Sequence, residues 1–182
     1  LLDHWDASPP LERDSVVDAE QCRVTVARFE AIFRRARDDR ELRARLHWDN
    51  GTLAARSPDG RVLETCLDWP ESFEIVCPVR GGFGLFLSEV LANAVRHGSP
   101  GTLPSVTIRG DRVRKEIVFR VENECPAPIA QPPGEAYGRM AILNRLGRLF
   151  EWRDMRFASA DGKFVAEWRA PASERGSAGQ AD

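Results

Sequence analysis

The stretch that decides the reading is SEVLANAVRHGSPG, Ser88–Gly101. Leu87, Val90, Leu91, Ala94 and Val95 recur at helical spacing, which predicts an amphipathic helix with its apolar stripe on a sheet. Glu89, Asn93 and His97 fall at i, i+4 and i+8, with Arg96 beside them. At about 3.6 residues per turn they share a second line along the helix. Such a line is either an ordinary solvated face or the rim of a ligand site. For His97 a plain role at the helix C-terminus stands beside the functional one, with Gly98 as terminator.

Outward from this helix, the pattern alternates between strands and helices. FEIVCPV, Phe73–Val79, predicts a strand, and Arg80-Gly81-Gly82 forms a joint into the helix. Downstream, SVTIRG and EIVFRVEN predict two strands joined by a charged hairpin around Gly110-Asp111. A Pro- and Gly-rich loop, CPAPIAQPPGEAYG, leads to a second amphipathic helix, RMAILNRLGRLFE. MRFASADGKFVAEWRA closes as a β-hairpin turning at Asp161-Gly162.

Upstream, LHWDNGTLAARSPDGRVLETCLDW carries Asn50-Gly51 and Asp59-Gly60, both turn dipeptides, with short strands beside them. Before that, Ser15 reads as a helix N-cap with Asp18 three residues on, opening a helix to about Leu46. Cys22, Val26, Phe29, Phe33 and Ala36 form a heptad-like seam on it. The seam suits a helix lying on its own domain, or the lower end of a dimer-forming stalk. The expected organisation is a lead-in and helical segment over 1–45, a principal domain over 46–172 and a disordered tail over 173–182. The fold class is α+β, a two-layer α/β sandwich with an N-terminal helical segment.

Bulk properties narrow the function. The 182 residues are 42% hydrophobic, enough for a buried core. A net charge of -2 without a basic stripe argues against a nucleic-acid partner. Cys22, Cys66, Cys77 and Cys125 are scattered, as are His4, His47 and His97, so no zinc cluster is expected and the thiols suit a reducing cytoplasm. No apolar run is long enough to span a bilayer. The chain opens on Leu1, so we expect a piece of a longer protein, meeting a membrane only through an upstream region.

Glu89-Val-Leu-Ala-Asn93-Ala94-Val-Arg-His97-Gly98 resembles the N box of the GHKL ATPase superfamily, most like the catalytic ATP-binding domain of a bacterial sensor histidine kinase. The resemblance covers roughly residues 73–170 and extends to the order of elements. Gly138, Ile142, Arg145, Leu146, Leu149 and Phe150 resemble the stretch that follows the lid in many such kinases, with Arg139 where leucine is usual. The resemblance implies ATP and Mg²⁺ as ligands. Asn93 would hold the metal, as a hard neutral oxygen ligand can. Glu89 would orient or polarise, Arg96 would meet phosphate, and His97 would lie beside the phosphates. Gly134 and Gly138 would bracket the lid.

The pattern departs at the next motif. Val121-Glu122-Asn123-Glu124-Cys125-Pro126-Ala127 stands where the family has VxDxGxG, with Asn123 in place of the adenine-binding aspartate. An amide oxygen still accepts from an amine but without the added strength of a charge. The implied function is transfer of the ATP γ-phosphoryl to a histidine in two-component signalling, with a phosphoacceptor histidine domain and a response regulator as partners and homodimerisation through the seam. His4 is a poor acceptor, because Pro9-Pro10 closes its segment to helix. Two alternatives stay open: a serine kinase of the anti-sigma-factor type, and a degenerate fold that binds a protein without nucleotide.

Overall fold

Alternation along one central strand sets the architecture. The computed structural model describes residues 16–46, 61–77, 81–99, 101–125 and 139–175. In chain order its elements are β1 (Val16–Val17), α1 (Ala19–Asp38), α2 (Arg40–Leu46), β2 (Glu64–Asp68), β3 (Phe73–Val76), α3 (Gly82–His97), β4 (Ser105–Asp111), β5 (Glu116–Glu124), α4 (Arg139–Leu149), β6 (Arg153–Ala160), β7 (Lys163–Pro171) and β8 (Ser173–Glu174). The main sheet has the order β2-β4-β5-β7-β6. On β5, Ile117, Phe119, Val121 and Asn123 share one face and are all buried. The opposite face carries a charged ladder in which Glu122 accepts from Arg120 at 2.8 Å and from Lys163 at 2.7 Å.

Helices cover the apolar face. α3 packs on β5, α1 packs on α3, and α4 packs on both α3 and β6. The two-layer α+β sandwich expected from the sequence is the observed fold. Its centre is aromatic. Phe119 stacks on Trp168 at 5.0 Å between centroids, and Phe86 of α3 meets Trp152 and Trp168 edge-on at 4.5 and 4.9 Å. The first half of α3 is thereby pinned to the sheet.

The N-terminal region differs from the expectation. Val16 and Val17 form a strand and pair with Val76 and Ile75, because two β-branched residues suit a sheet better than a first helical turn. The helix is capped by Asp18 and not by Ser15: Asp18 Oδ1 accepts from the Gln21 N–H at 2.9 Å, and the Gln21 side chain answers the Asp18 N–H. The helix also breaks at Asp39, which is extended, before α2 begins. Cys22, Phe29, Phe33 and Ala36 are fully buried in the same core as the sheet residues, so α1 lies on the domain.

Three further differences concern strand pairing. β2 runs parallel to β4, a pairing that the hairpins read from the sequence do not include. The β4–β5 turn falls at residues 112–115, just beyond Gly110-Asp111. Ser173 and Glu174, expected in a tail, pair with Glu74 and Phe73 in a small sheet of order β1-β3-β8. Arg175 then pairs with Asp18 and lies 3.7 Å from Glu74, fastening the entry to α1 against the end of β8. The Asp161-Gly162 turn is as expected, both residues having positive φ as a type I′ hairpin requires. The turns at Asn50-Gly51 and Asp59-Gly60 lie outside the described residues.

Gly110 marks a close approach. A Cβ there would stand 2.2 Å from Cδ of Pro70, on a ring that cannot swing aside. Gly→Ala reduces unfolded-chain entropy by about 0.4–1 kcal/mol, whereas overpacking costs about 1–3 kcal/mol. The clash dominates, so Gly110→Ala is expected to lower the urea midpoint with an unchanged slope.

Candidate functional site

The helix that carries the motif is built to present one edge. Leu87, Leu91 and Val95 are fully buried and Val90 and Ala94 nearly so, as the stripe predicted. Glu89, Asn93 and Arg96 are half-buried along the neighbouring line, and His97 is exposed at its end. Arg96 Nη1 donates to Asn93 Oδ1 at 3.4 Å, a long contact that a stronger ligand for that oxygen can displace. The His97 imidazole is held below its ordinary pKa, first by partial desolvation and then by the Arg96 guanidinium. At neutral pH it is therefore an uncharged ring, and Arg96 is the cation at this end of the helix.

The chain after α3 brings that edge to the sheet. Gly98 ends the helix in extended conformation, not in the left-handed one, and Gly101 takes the positive φ. The Ser99 N–H then donates to the Glu124 carbonyl at 2.7 Å. Asn123 Nδ2 donates to the same oxygen at 3.2 Å. Two bonds thus converge on one carbonyl, and they set the His97 end of α3 beside Asn123.

Asn123 is only 2% exposed, on the core face of β5 opposite Phe164 of β7. Its Oδ1 is buried and has no hydrogen-bond partner among the described residues. A buried amide oxygen left so costs on the order of 1–3 kcal/mol, which a donor on a ligand would recover. With Nδ2 turned to Glu124, the group presents an acceptor, which fits an exocyclic amine. Next along the chain, the Cys125 N–H donates to the Gly162 carbonyl at 2.7 Å, and Cys125 is itself buried.

Of the residues singled out from the sequence, Glu89, Asn93, Arg96 and His97 share one helix edge, and Asn123 lies beside its C-terminal end. Gly134 and Gly138 lie outside the described residues. Sequence reasoning missed Ser99, whose backbone makes the tie to β5. The Ser-Pro-Gly loop announces a turn, but nothing in the sequence marks Glu124 as its partner. Among the described residues no three His, Cys, Asp or Glu side chains gather as a metal cluster.

This sandwich, with a polar helix edge meeting the end of a central strand, is the fold of histidine kinase catalytic domains. The mycobacterial sensor histidine kinase MprB aligns over 88% of this chain and 99% of its own, with a TM-score of 0.59 and 15% identity. The catalytic domain of histidine kinase ThkA gives 0.54 at 11% identity, covering 87% of this chain and 95% of its own. The cytoplasmic segment of histidine kinase QseC gives 0.52 at 16% identity, covering 92% and 81%. No family model and no curated protein matches the sequence. No described helix is long and apolar enough to cross a membrane.

Proposed function

We propose that the chain is the ATP-binding catalytic domain of a two-component sensor histidine kinase, which passes the γ-phosphoryl of Mg·ATP to a histidine on a phosphoacceptor domain. The observation that carries this reading is the convergence of Ser99 and Asn123 on the Glu124 carbonyl, which joins the motif helix to a buried, unpartnered amide oxygen. The likeness of fold to three histidine kinase domains supports it.

In this reading each residue has a separate task. Asn123 Oδ1 accepts from the adenine amine, and the neighbouring aromatic Phe164 belongs to the same wall. Asn93 would offer Mg²⁺ one hard, neutral oxygen, and a metal held between such an amide and nucleotide phosphates would require no carboxylate cluster. Arg96 releases Asn93 and turns to the phosphates, where a planar guanidinium can take two oxygens. Glu89 lies one helical turn before Asn93 and would orient or polarise the groups gathered there. His97, uncharged, donates or accepts at the phosphate end without adding repulsion to the metal. Gly134 and Gly138, outside the described residues, would bracket a lid. Mg²⁺ held there would supply charge neutralisation for phosphoryl transfer, and positioning by these side chains would supply most of the rest. A response regulator completes the expected set of partners, the seam that would have paired a second copy being used within the chain, and the domain works in the cytoplasm.

Calorimetric titration with ATP and ADP, each with and without Mg²⁺, tests the reading. Micromolar binding that needs Mg²⁺ is the expected result. No heat at millimolar nucleotide would end the kinase reading for this chain and leave a protein-binding module, to which the buried Cys125 in the glycine position already points.

A further inference from the structure

The end of the sheet opposite the candidate site carries a feature that nucleotide chemistry does not use. The β4–β5 turn reads Arg112-Val113-Arg114-Lys115. Val113 is 94% exposed, far more than Val76 at 55% or Leu149 at 54%. Arg112, Arg114 and Lys115 are exposed around it, and Arg109 is exposed on the strand below. Asp111 is the one acid between Arg109 and Lys115, so the tip is cationic in a chain whose net charge is -2.

The turn is also held stiffly. Asp111 Oδ1 accepts from the N–H groups of Val113 and Arg114, both at 3.0 Å. Lys115 takes a positive φ, and its carbonyl accepts from the Ala172 N–H at 2.8 Å. The Pro70 ring lies where a Cβ on Gly110 would be. An apolar residue is thus fixed at the apex with cations around its base. Two of those cations have partial neighbours, Arg114 at 4.0 Å from Asp111 and Lys115 at 3.6 Å from Glu174, and both side chains remain well over half exposed.

We propose that this hairpin tip is a docking point for the surface of an anionic lipid bilayer. The tip is convex. A protein partner would need a pocket shaped to receive Val113, whereas a bilayer interface accepts a protruding apolar group without one. Arg112, Arg114 and Lys115 are placed to meet lipid phosphates while Val113 enters the headgroup layer. Seven residues of β5, Glu116–Glu122, lie between the turn and Asn123–Glu124, about 25–30 Å at strand rise, so the docked domain keeps its candidate site clear of the membrane.

Cosedimentation of the full chain with vesicles tests this. The wild type is expected to bind vesicles containing about a third phosphatidylglycerol and to ignore pure phosphatidylcholine, with binding lost near 0.5 M salt as charges are screened. Val113→Asp and the double variant R112A/R114A should each reduce the bound fraction several-fold. Neither should change ATP binding or the thermal midpoint, since these side chains are exposed. No binding to the anionic vesicles at low salt would overturn the proposal, as would equal binding to neutral vesicles or equal binding by Val113→Asp. Retention on immobilised polyglutamate without vesicle binding would reassign the tip to an acidic protein and overturn the lipid assignment.

Discussion

Asn93→Ala is expected to weaken Mg²⁺-dependent ATP binding by about 100-fold or more while leaving the fold intact. Removing a residue that merely supports a metal ligand costs about 10–100-fold in affinity, so removing the ligand itself should reach at least the upper end of that range. That is on the order of 2.7 kcal/mol, enough to move a micromolar complex to about 0.1 mM or weaker. Asn93 is half-buried on the polar edge of α3, away from the stripe that holds the helix, so little packing is lost. Its side-chain contact with Arg96, at 3.4 Å, is long and weak. Circular dichroism should therefore match the wild type. Mg²⁺-free ATP binding separates two outcomes. If Asn93 acts through the metal, the variant and the wild type converge once Mg²⁺ is removed. If they differ equally with and without Mg²⁺, Asn93 contacts the nucleotide directly, and its assignment as metal ligand fails.

Asn123 makes a different demand on the same titration. Its amide oxygen is neutral, whereas an aspartate there would be charged, and ionised acceptors make roughly twice as strong a bond. The adenine contact is thus the weaker half of the proposed site and the metal–phosphate contact the stronger. For this reason loss of Asn93 carries the larger expected effect.

How much of this was legible depends on whether a residue's partner is near it in sequence. α3, α4 and the β6–β7 hairpin follow from local periodicity and from one Asp-Gly turn, and each is where the pattern put it. Burial of Asn123 also follows locally, because it shares the face of Phe119 and Val121. The small sheet does not. β1 and β8 have two residues each, and a strand so short exists only through β3, about 60 and 100 residues away along the chain. The parallel pairing of β2 was hidden for another reason. Glu64, Thr65, Cys66 and Asp68 are all exposed, so the strand lacks the alternation that would announce an inward face. In the site, the line on α3 could be read directly, but the Ser99–Glu124 bond that aims it at Asn123 joins two backbones and leaves no trace in side-chain identity.

The break at Asp39 shows a third kind of limit. Asp38-Asp39 reads as two more charges on a charged helix, yet Asp39 is extended and its carboxylate caps α2 by accepting from the Leu42 N–H at 2.9 Å. The seam on α1 therefore runs for one helix of 20 residues and then stops.

Phe29→Ala decides what that seam is for. Phe29 and Phe33 are both fully buried within one chain, with ring centroids 6.4 Å apart. Truncating a buried phenylalanine costs about 3–5 kcal/mol, against a total stability of about 5–15 kcal/mol for a domain. Phe29→Ala is thus expected to remove a large part of the stability of the whole sandwich, read as a lowered urea midpoint by both far-ultraviolet dichroism and tryptophan emission. The second probe matters, because Trp152 and Trp168 lie in the sheet core and not on α1. Coincident transitions would mean that α1 and the sheet unfold as one unit. A stalk would behave otherwise. Its seam would be satisfied by a second copy, the midpoint would rise with protein concentration, and Phe29→Ala would weaken association while tryptophan emission kept its wild-type transition. The buried seam predicts a midpoint that does not depend on concentration and a single loss shared by both signals.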